Sequence, residues 1–369
     1  MKNLLLIFFS LVLALAAVEG VLRIYNPLGF RIKGNKIILP INKDEVIHYD
    51  RSPRLDKVVR IHRNSLGFKG EEPPPDFAQR LTILAIGGST TEGVGLNDAK
   101  TWPLVLEAKL KRNFSKLWLN NAGLSGHSTF GHQILMQDYV RRINPKAVLF
   151  LIGLNDLGIE AVNDFDSRMT RGINYRSLDA FLAGLSLHSE VAAAALNLKR
   201  YYFPKVVPQV GKEEVNFLAV PRLEVSAEDK AAIKRLYRDK YLGPYELRLN
   251  NLLGMALSHG IAPVLITQPV LYGNLTDPRT GVDLGKMHVT RDMNGELAWE
   301  VLALYNDITR KVGRERGVPV IDLAGKMPKD SVYYFDLTHF TNEGAEKAAG
   351  IVYEELGPYL ARKFPGYAH

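Results

Sequence analysis

The sequence predicts an α/β fold of three layers, in which a central parallel β-sheet lies between two layers of helices. From Leu81 onward, short apolar runs alternate with segments of helical spacing. Strands buried on both faces read as continuous apolar runs, and their alternation with helices is typical of a parallel sheet. A helical insertion and an N-terminal hydrophobic segment are predicted in addition to this sheet.

The predicted elements follow one another along the chain in the order that such a sheet needs. The strands are predicted at residues 81–86, 116–121, 147–152, 262–267 and 318–323. The helices are predicted at residues 102–112, 133–143, 297–316 and from 342 to about 356. Residues 157–258 interrupt this alternation between the third and fourth strands. They include a capping-box start at Ser226, so a mostly helical insertion is predicted there.

Length and composition narrow the protein class before any motif is considered. A chain of 369 residues allows one large domain or two ordinary ones, and 9% aromatic residues exclude a disordered or fibrous chain. The sequence has no cysteine, which excludes disulfides, zinc-thiolate sites, iron–sulfur clusters and a cysteine nucleophile. We expect an N-terminal segment over 1–23, an extension and linker over 24–80, and a catalytic domain over 81–369 that contains the insertion.

The N-terminal segment predicts export. Lys2 precedes an apolar run, and residues 4–22 carry a single charge, that of Glu19. This length suits a membrane span, whereas Ala14 and Ala16 offer an A-x-A cleavage site. An uncleaved anchor, with the catalytic domain outside the bacterial cytoplasm, is favoured over a cleaved signal of a secreted or periplasmic protein. Both are favoured over a buried helix of a cytosolic protein.

The charge balance indicates anionic surroundings. The net charge is +8, and +7 remains after residues 1–23, which contain two basic residues and one acidic residue. Nucleic acid, a lipid surface and envelope polymer all fit a modest positive charge. For an exported body, anionic envelope material fits best, and we expect no nucleic-acid partner.

Four short polar segments follow predicted strands, at the sheet edge where α/β folds place their ligands. They are residues 87–93, 121–127, 153–156 and 336–339. The first offers an exposed serine hydroxyl, and the second and third offer backbone and amide donors for an oxyanion. In the fourth, Asp and His three residues apart can form the base and its orienting carboxylate.

Each segment by itself also suits an ordinary turn, because Gly, Asn and Asp are common turn residues. The first segment lacks the spacing of a phosphate-binding loop, and Thr91 excludes the G-x-S-x-G elbow. A single D-x-x-H match is expected about half the time by chance in a chain of this composition. The four segments carry weight only together, because each occurs in order at the end of a predicted strand.

Taken together, the four segments resemble the SGNH hydrolases, also known as GDSL-like esterases and lipases. Gly88 and Ser89 stand at the first block, residues 121–126 at the second, 153–156 (G-x-N-D) at the third, and 336–339 (D-x-x-H) at the fifth. The resemblance covers about residues 81–358, apart from the insertion. It implies the flavodoxin-like arrangement of the three-layer fold.

The resemblance also implies roles for individual residues. Ser89 would be the nucleophile, His339 the general base and Asp336 its orienting carboxylate. The backbone N–H groups of Ser89 and Gly126 and the side-chain amide of Asn155 would form the oxyanion hole, with Gly123 as the less favoured alternative to Gly126. Candidate pocket-lining residues are Gly88, Thr90, His127 and Asp156. His127 and Asp156 also suit purely structural roles. No metal and no cofactor are expected.

The first block departs from the usual Gly-Asp-Ser-Leu, because Gly88 stands where the family has Asp. The Gly-Gly-Ser-Thr-Thr version is familiar in membrane-tethered bacterial members. In those, an Asn-x-x-Gly-Phe-x segment often precedes the block, and residues 64–69 resemble it. The departure affects the substrate that we expect more than catalytic competence.

The leading functional hypothesis is a membrane-tethered serine esterase that removes acyl groups, O-acetyl foremost, from an envelope glycan. The substrate would be an ester-bearing small molecule or glycan. The alternatives are a polysaccharide O-acetyltransferase, a lysophospholipase or thioesterase, and a non-catalytic binding module of the envelope. We expect the insertion to determine specificity, and Tyr201, Tyr202 and Phe203 either contact sugar or lipid or pack the insertion onto the body.

Overall fold

The computed structural model describes residues 2–25, 32–33, 36–50, 52–160, 185–186, 188–202 and 214–368. The chain divides into two compact units. The small unit comprises Met1–Pro40 and Phe165–Pro208, and the sheet unit comprises Ile41–Asp164 and Gln209–His369.

The strands are β1 (Ile32–Lys33), β2 (Lys36–Ile37), β3 (Lys43–His48), β4 (Val58–Arg63), β5 (Leu81–Gly87), β6 (Leu117–Asn121), β7 (Ala147–Ile152), β8 (Ala262–Thr267), β9 (His288–Thr290), β10 (Met293–Asn294) and β11 (Val320–Ile321). The α-helices are α1 (Lys2–Ile24), α2 (Ser89–Glu92), α3 (Trp102–Leu110), α4 (Thr129–Leu135), α5 (Arg141–Ile143), α6 (Glu190–Tyr202), α7 (Ala227–Tyr237), α8 (Gly243–Leu257), α9 (Gly295–Arg316), α10 (Leu323–Lys326) and α11 (Asn342–Lys363).

The centre of the sheet unit is a five-stranded parallel sheet. Its strand order is β6, β5, β7, β8 and β11, and every neighbouring pair is parallel. In chain order this is 2-1-3-4-5, the flavodoxin-like order, which confirms the predicted fold class. All six residues of β7 (AVLFLI) are buried, as a strand covered on both faces requires.

Helices cover both faces of this sheet. On one face α3 and α11 pack together over Ile83 and Ala85 of β5. On the other face α8 packs against α4, α9 and β8, and the alternate side chains of β5, such as Leu84 and Ile86, are also buried. Because parallel strands all point the same way, the loops that follow β5, β6, β7 and β8 lie along one edge of the sheet.

The observed elements differ from the predicted ones mainly at their ends. The second predicted helix, 133–143, begins at Thr129 and is π-helical over Met136–Val140. The final strand is shorter than predicted, and α11 continues to Lys363 through Pro358. The capping-box prediction is confirmed, because Ser226 Oγ accepts the Asp229 N–H at 3.0 Å.

The N-terminal extension contributes structure to the sheet unit. β3 and β4 form an antiparallel hairpin, and Lys69 pairs in antiparallel fashion with Asn121 at the end of β6. The segment before the first sheet strand is also held, because Trp118 Nε1 donates to the Glu71 carbonyl at 3.1 Å. The division of the chain at residues 23 and 80 stays a prediction.

The small unit contains α1, the short strands β1 and β2, and α6. Leu5–Ile24 of α1 is long and apolar enough to cross a membrane, although a signal sequence passes the same test. Within this unit, Glu19 of α1 accepts hydrogen bonds from Ser189 Oγ and from the backbone N–H groups of Glu190 and Val191. Much of the predicted insertion, including Phe203, lies outside the described residues.

Candidate active site

The four predicted segments meet at the carboxyl edge of the sheet. Ser89 follows β5, the loop 122–128 follows β6, and Asn155 follows β7. Asp336 and His339 lie in the loop before α11. Residues that are 250 positions apart in the chain are therefore within hydrogen-bond distance of one another.

Ser89, His339 and Asp336 form a continuous chain of hydrogen-bonding atoms. His339 Nε2 lies 2.7 Å from Ser89 Oγ. On the other side of the ring, Nδ1 lies 2.7 Å from Asp336 Oδ2. A nucleophile, a base and a carboxylate that orients the base are the three parts that a serine hydrolase needs, and the distances suit proton transfer between them.

Asp336 is held in a single orientation by its own loop. Its Oδ1 accepts the backbone N–H groups of Thr338 at 2.8 Å and His339 at 2.7 Å, which leaves Oδ2 for the imidazole. Burial disfavours the charged carboxylate, but His339 and these two N–H groups outweigh burial and hold the pKa of Asp336 below its usual value. The carboxylate therefore stays charged beside the ring.

The loop that carries Asp336 and His339 is supported from two sides. The Phe335 ring stacks on the His339 ring, with centroids 5.7 Å apart. Arg54, from the extension, donates to the backbone carbonyls of Ser331 and Tyr334 just before Asp336. The Arg54 guanidinium also pairs with Glu214 at 2.5 Å, so this support is charge-compensated.

The two glycines before Ser89 allow the first and third blocks to approach closely. A Cβ at Gly87 would stand 2.2 Å from Thr91 Oγ1, and a Cβ at Gly88 would stand 2.2 Å from Asn155 Nδ2. Any side chain at Gly88, including the aspartate of Gly-Asp-Ser-Leu, would therefore displace the Asn155 amide. The departure from the usual first block has a steric reason in this structure.

The two candidate glycines of the second block are in different environments. The Gly123 N–H donates to Asn121 Oδ1 at 2.9 Å, and a Cβ at Gly123 would stand 2.2 Å from the Glu92 nitrogen. Gly126 has φ of 78°, which favours glycine, and a Cβ there would meet no described atom within 4 Å. The environment of Gly126 suits an oxyanion donor better, whereas Gly123 serves close packing.

Asn155 lies between the second and third blocks. Its Nδ2 donates to the His127 carbonyl at 3.0 Å and would stand 2.2 Å from a Cβ at Gly88. Gly153 has φ of 124°, a left-handed value that lets the chain turn sharply from β7 into the short 3₁₀ helix of Leu154–Asp156. The amide is thereby brought to the first block.

The candidate pocket-lining residues other than Gly88 are turned largely inward. The Thr90 hydroxyl donates to Gln268 Oε1 at 3.4 Å, and Thr90 is buried. His127 is buried, and its ring lies over Gly131, where a Cβ would stand 2.4 Å from Nδ1. Asp156 is buried and accepts from Thr129 and from Arg248 Nη2 at 3.1 Å. A structural role fits Asp156 best.

The sequence alone did not identify the residues that hold the loop after β6, which carries the candidate oxyanion donor Gly126. Glu92 follows Ser89 in α2, and its carboxylate accepts from Ser125 and from Arg63 Nη2 at 2.5 Å. The Asn-x-x-Gly-Phe-x segment was the available signal, because Arg63 directly precedes it. Arg248 belongs to the insertion and gave no signal. Among the described residues, no cluster of three or more His, Asp or Glu side chains could hold a metal ion.

The fold and the site define a serine hydrolase of the flavodoxin-like α/β type. A family model for GDSL-like lipases and acylhydrolases matches residues 85–347, which is most of the chain. The protein belongs to this family, and it is an enzyme that hydrolyses ester bonds.

Individual relatives are distant in sequence. Esterase TesA of Pseudomonas aeruginosa is 23% identical over 198 residues, which cover 54% of this chain and 87% of the relative. Among solved structures, the acetylxylan esterase Axe2 of Geobacillus stearothermophilus is 14% identical, with a TM-score of 0.43, and the match covers 74% of this chain and 93% of that one. The hydrolase LAE5 from a Lake Arreo metagenome is 16% identical, with a TM-score of 0.41, and the match covers 76% of this chain and 93% of that one.

Proposed function

We propose that this enzyme is a serine esterase that uses Ser89 as its nucleophile and removes short acyl groups, O-acetyl foremost, from an extracytoplasmic glycan. The observation that carries the proposal is the hydrogen-bonded chain from Ser89 Oγ through His339 to Asp336. Each of its two contacts is 2.7 Å long, within the range that general-base catalysis requires.

The proposed reaction has two steps. Ser89 Oγ attacks the ester carbonyl while His339 takes its proton, and Asp336 stabilises the imidazolium that forms. The backbone N–H groups of Ser89 and Gly126 and the Asn155 amide hold the oxyanion. His339 then returns the proton to the leaving alcohol, which leaves an acyl group on Ser89. In the second step His339 activates a water, which releases the acid and restores Ser89.

The proposed location outside the cytoplasm rests on α1. The span Leu5–Ile24 has 20 residues, which as a helix measure about 30 Å, close to the thickness of a bilayer core. The charge of Glu19 is compensated within the small unit by Arg23 at 2.8 Å and by the N-terminus of α6. A retained anchor is therefore favoured, and the +7 charge of the remaining chain suits anionic envelope glycans.

The test is an ester panel of increasing acyl length, from acetyl through butyryl to octanoyl p-nitrophenyl esters, with the full chain in detergent. We expect turnover to be highest with acetyl and to be lost in Ser89→Ala. Turnover that rises with chain length would instead support a lysophospholipase or thioesterase. Acetyl that appears on an added glycan, with no free acetate, would support a transferase. Full turnover by Ser89→Ala would overturn the proposed nucleophile.

A further inference from the structure

The Asn-x-x-Gly-Phe-x segment, residues 64–69, forms a tight turn next to the candidate active site. Asn64 Oδ1 accepts the backbone N–H groups of Leu66 at 3.0 Å and Phe68 at 3.1 Å. Gly67 has φ of 79°, the left-handed value that closes the turn. The turn reverses the chain between Arg63 and Lys69, so that both basic side chains contact the same residue.

Arg63 and Lys69 both contact Glu92, which lies at the end of the helix that begins with Ser89. Arg63 Nη2 donates to Glu92 Oε1 at 2.5 Å, and Lys69 Nζ donates to the Glu92 carbonyl at 2.9 Å. The side chains of Arg63, Glu92 and Lys69 are only 3%, 5% and 1% exposed. Buried charges of this kind are stable only where each has a partner, and here Asp98 lies 3.2 Å from Lys69 Nζ.

The second carboxylate oxygen of Glu92 holds the loop that carries Gly126. Glu92 Oε2 accepts the Ser125 N–H at 2.7 Å and also the Ser125 hydroxyl. Ser89 and Glu92 belong to one helical turn, α2, and Ser125 directly precedes Gly126. A single carboxylate therefore joins the nucleophile's helix to the loop of the oxyanion donor.

We propose that Glu92, with its charge compensated by Arg63, is a positioning residue that holds the Gly126 N–H at the correct distance from Ser89. The proposal rests on the proposed function, since it concerns the oxyanion of that reaction. Oxyanion donors act only when held within about 0.5 Å of the productive geometry, and a displacement of about 1 Å costs about 10²-fold in rate. The Asn-x-x-Gly-Phe-x segment then serves the active site by delivering Arg63 and Lys69.

The experiment compares Glu92→Gln with wild type on a p-nitrophenyl acetate probe, using the full chain in detergent. The glutamine keeps the shape, but its amide nitrogen cannot accept hydrogen bonds, so either the acceptor for Arg63 or the acceptor for Ser125 is lost, and the charge that compensates Arg63 is removed. We expect kcat to fall about 10- to 100-fold while KM stays within about twofold. The pH profile of kcat should keep its shape, because the hydrogen-bonded chain through His339 is intact.

Glu107→Gln is the matched control. Glu107 is also a buried carboxylate, and it accepts a backbone N–H, that of Leu119 in the middle of β6, at 3.2 Å. We expect its kcat to stay within about twofold of wild type, whatever its melting temperature. If Glu92→Gln keeps the wild-type kcat, or if both variants lose kcat equally, the positioning role is overturned.

Two further variants keep the outcome clear. If Glu92→Gln does not fold, Ser125→Ala removes only the hydroxyl contact with Glu92, and we expect a smaller fall in kcat, about threefold to tenfold, with unchanged KM. An unchanged kcat in that variant would count against the proposal.

Ser89→Ala distinguishes a failure of the proposed function from a failure of the positioning role. If it retains wild-type turnover, the proposed function fails, whereas an inactive Ser89→Ala beside a fully active Glu92→Gln overturns the positioning role alone.

Discussion

The two sides of the candidate active site are built in different ways. The acid–base side is local, because Asp336 and His339 lie three residues apart and the loop supplies the N–H groups that orient the carboxylate. The proposed oxyanion side is assembled from distant parts of the chain. The loop after β6 is held at Ser125 by Glu92, and the start of α4, which follows this loop, is held at Thr129 by Asp156.

Each of these two carboxylates is buried and paired with an arginine from elsewhere. Arg63, which pairs with Glu92, comes from the extension, and Arg248, which pairs with Asp156, comes from the helix α8 of the insertion. The acid–base geometry can therefore be read from a short motif, whereas the oxyanion geometry depends on two segments outside the family's blocks. Variants on the two sides should fail in different ways.

The largest effect is expected on the acid–base side. Asp336→Asn should lower kcat about 10⁴-fold, because an amide at this position favours the wrong tautomer of His339. The measurement is single-ester turnover by the full chain. Asp307→Asn, an exposed aspartate that pairs with Arg310, is the control and should keep full activity. A loss of less than about tenfold in Asp336→Asn would show that His339 needs no orienting carboxylate.

The next effect is expected from the close approach of Gly88 to Asn155. Gly88→Asp, which restores the usual residue of the family, should lower kcat about 10²- to 10³-fold by displacing the Asn155 amide. Asn155→Ala should cost about as much, and the double variant little more, because both changes remove one donor. Gly350→Ala is the control, because a Cβ there meets no described atom within 4 Å. Additive losses would contradict the shared cause.

The fold and the acid–base side were largely predictable from the sequence. The buried strands of the sheet are unbroken apolar runs, and an Asp and a His three residues apart need only one loop to meet. The contact of Glu92 with Arg63 could not be predicted, because Arg63 reaches Glu92 only through the turn at residues 64–69. The role of Arg248 could not be predicted for the same physical reason. Its partner Asp156 lies 92 residues away, and no local sequence pattern indicates the contact.

A stability measurement sharpens the comparison of the two buried ion pairs. Arg248→Met should lower the free energy of unfolding by about 3–5 kcal/mol, because it leaves the buried Asp156 carboxyl without its cationic partner. Asp156→Asn in the same chain should recover part of the loss. Denaturant unfolding of the full chain in detergent measures both. If Arg248→Met costs less than about 1 kcal/mol, the insertion does not support the loop after β6 in the way that the contacts indicate.

The smallest expected effect is a dependence of the free energy of unfolding on pH. Burial, with a smaller contribution from His127, lowers the pKa of His132 on α4 to about 3. Between about pH 3 and the unfolded value near 6.5, the unfolded chain binds a proton that the folded chain does not bind. The free energy of unfolding should therefore fall as the pH falls, by about 1.2 kcal/mol from pH 6 to pH 5. His132→Gln should lack this slope.

Asp336 responds to acid in the same direction as His132, but only at lower pH. Its pKa is lowered in the folded enzyme, so its stabilising contribution is fully present above the unfolded value near 3.9 and is lost only as the pH falls through the folded pKa. Mild acid should thus lower the free energy of unfolding through His132 while the Asp336 contact with His339 remains. The measurement is unfolding at pH 7, 6 and 5 for wild type and His132→Gln. Equal pH slopes for the two proteins would mean that His132 takes up its proton in the folded state as well.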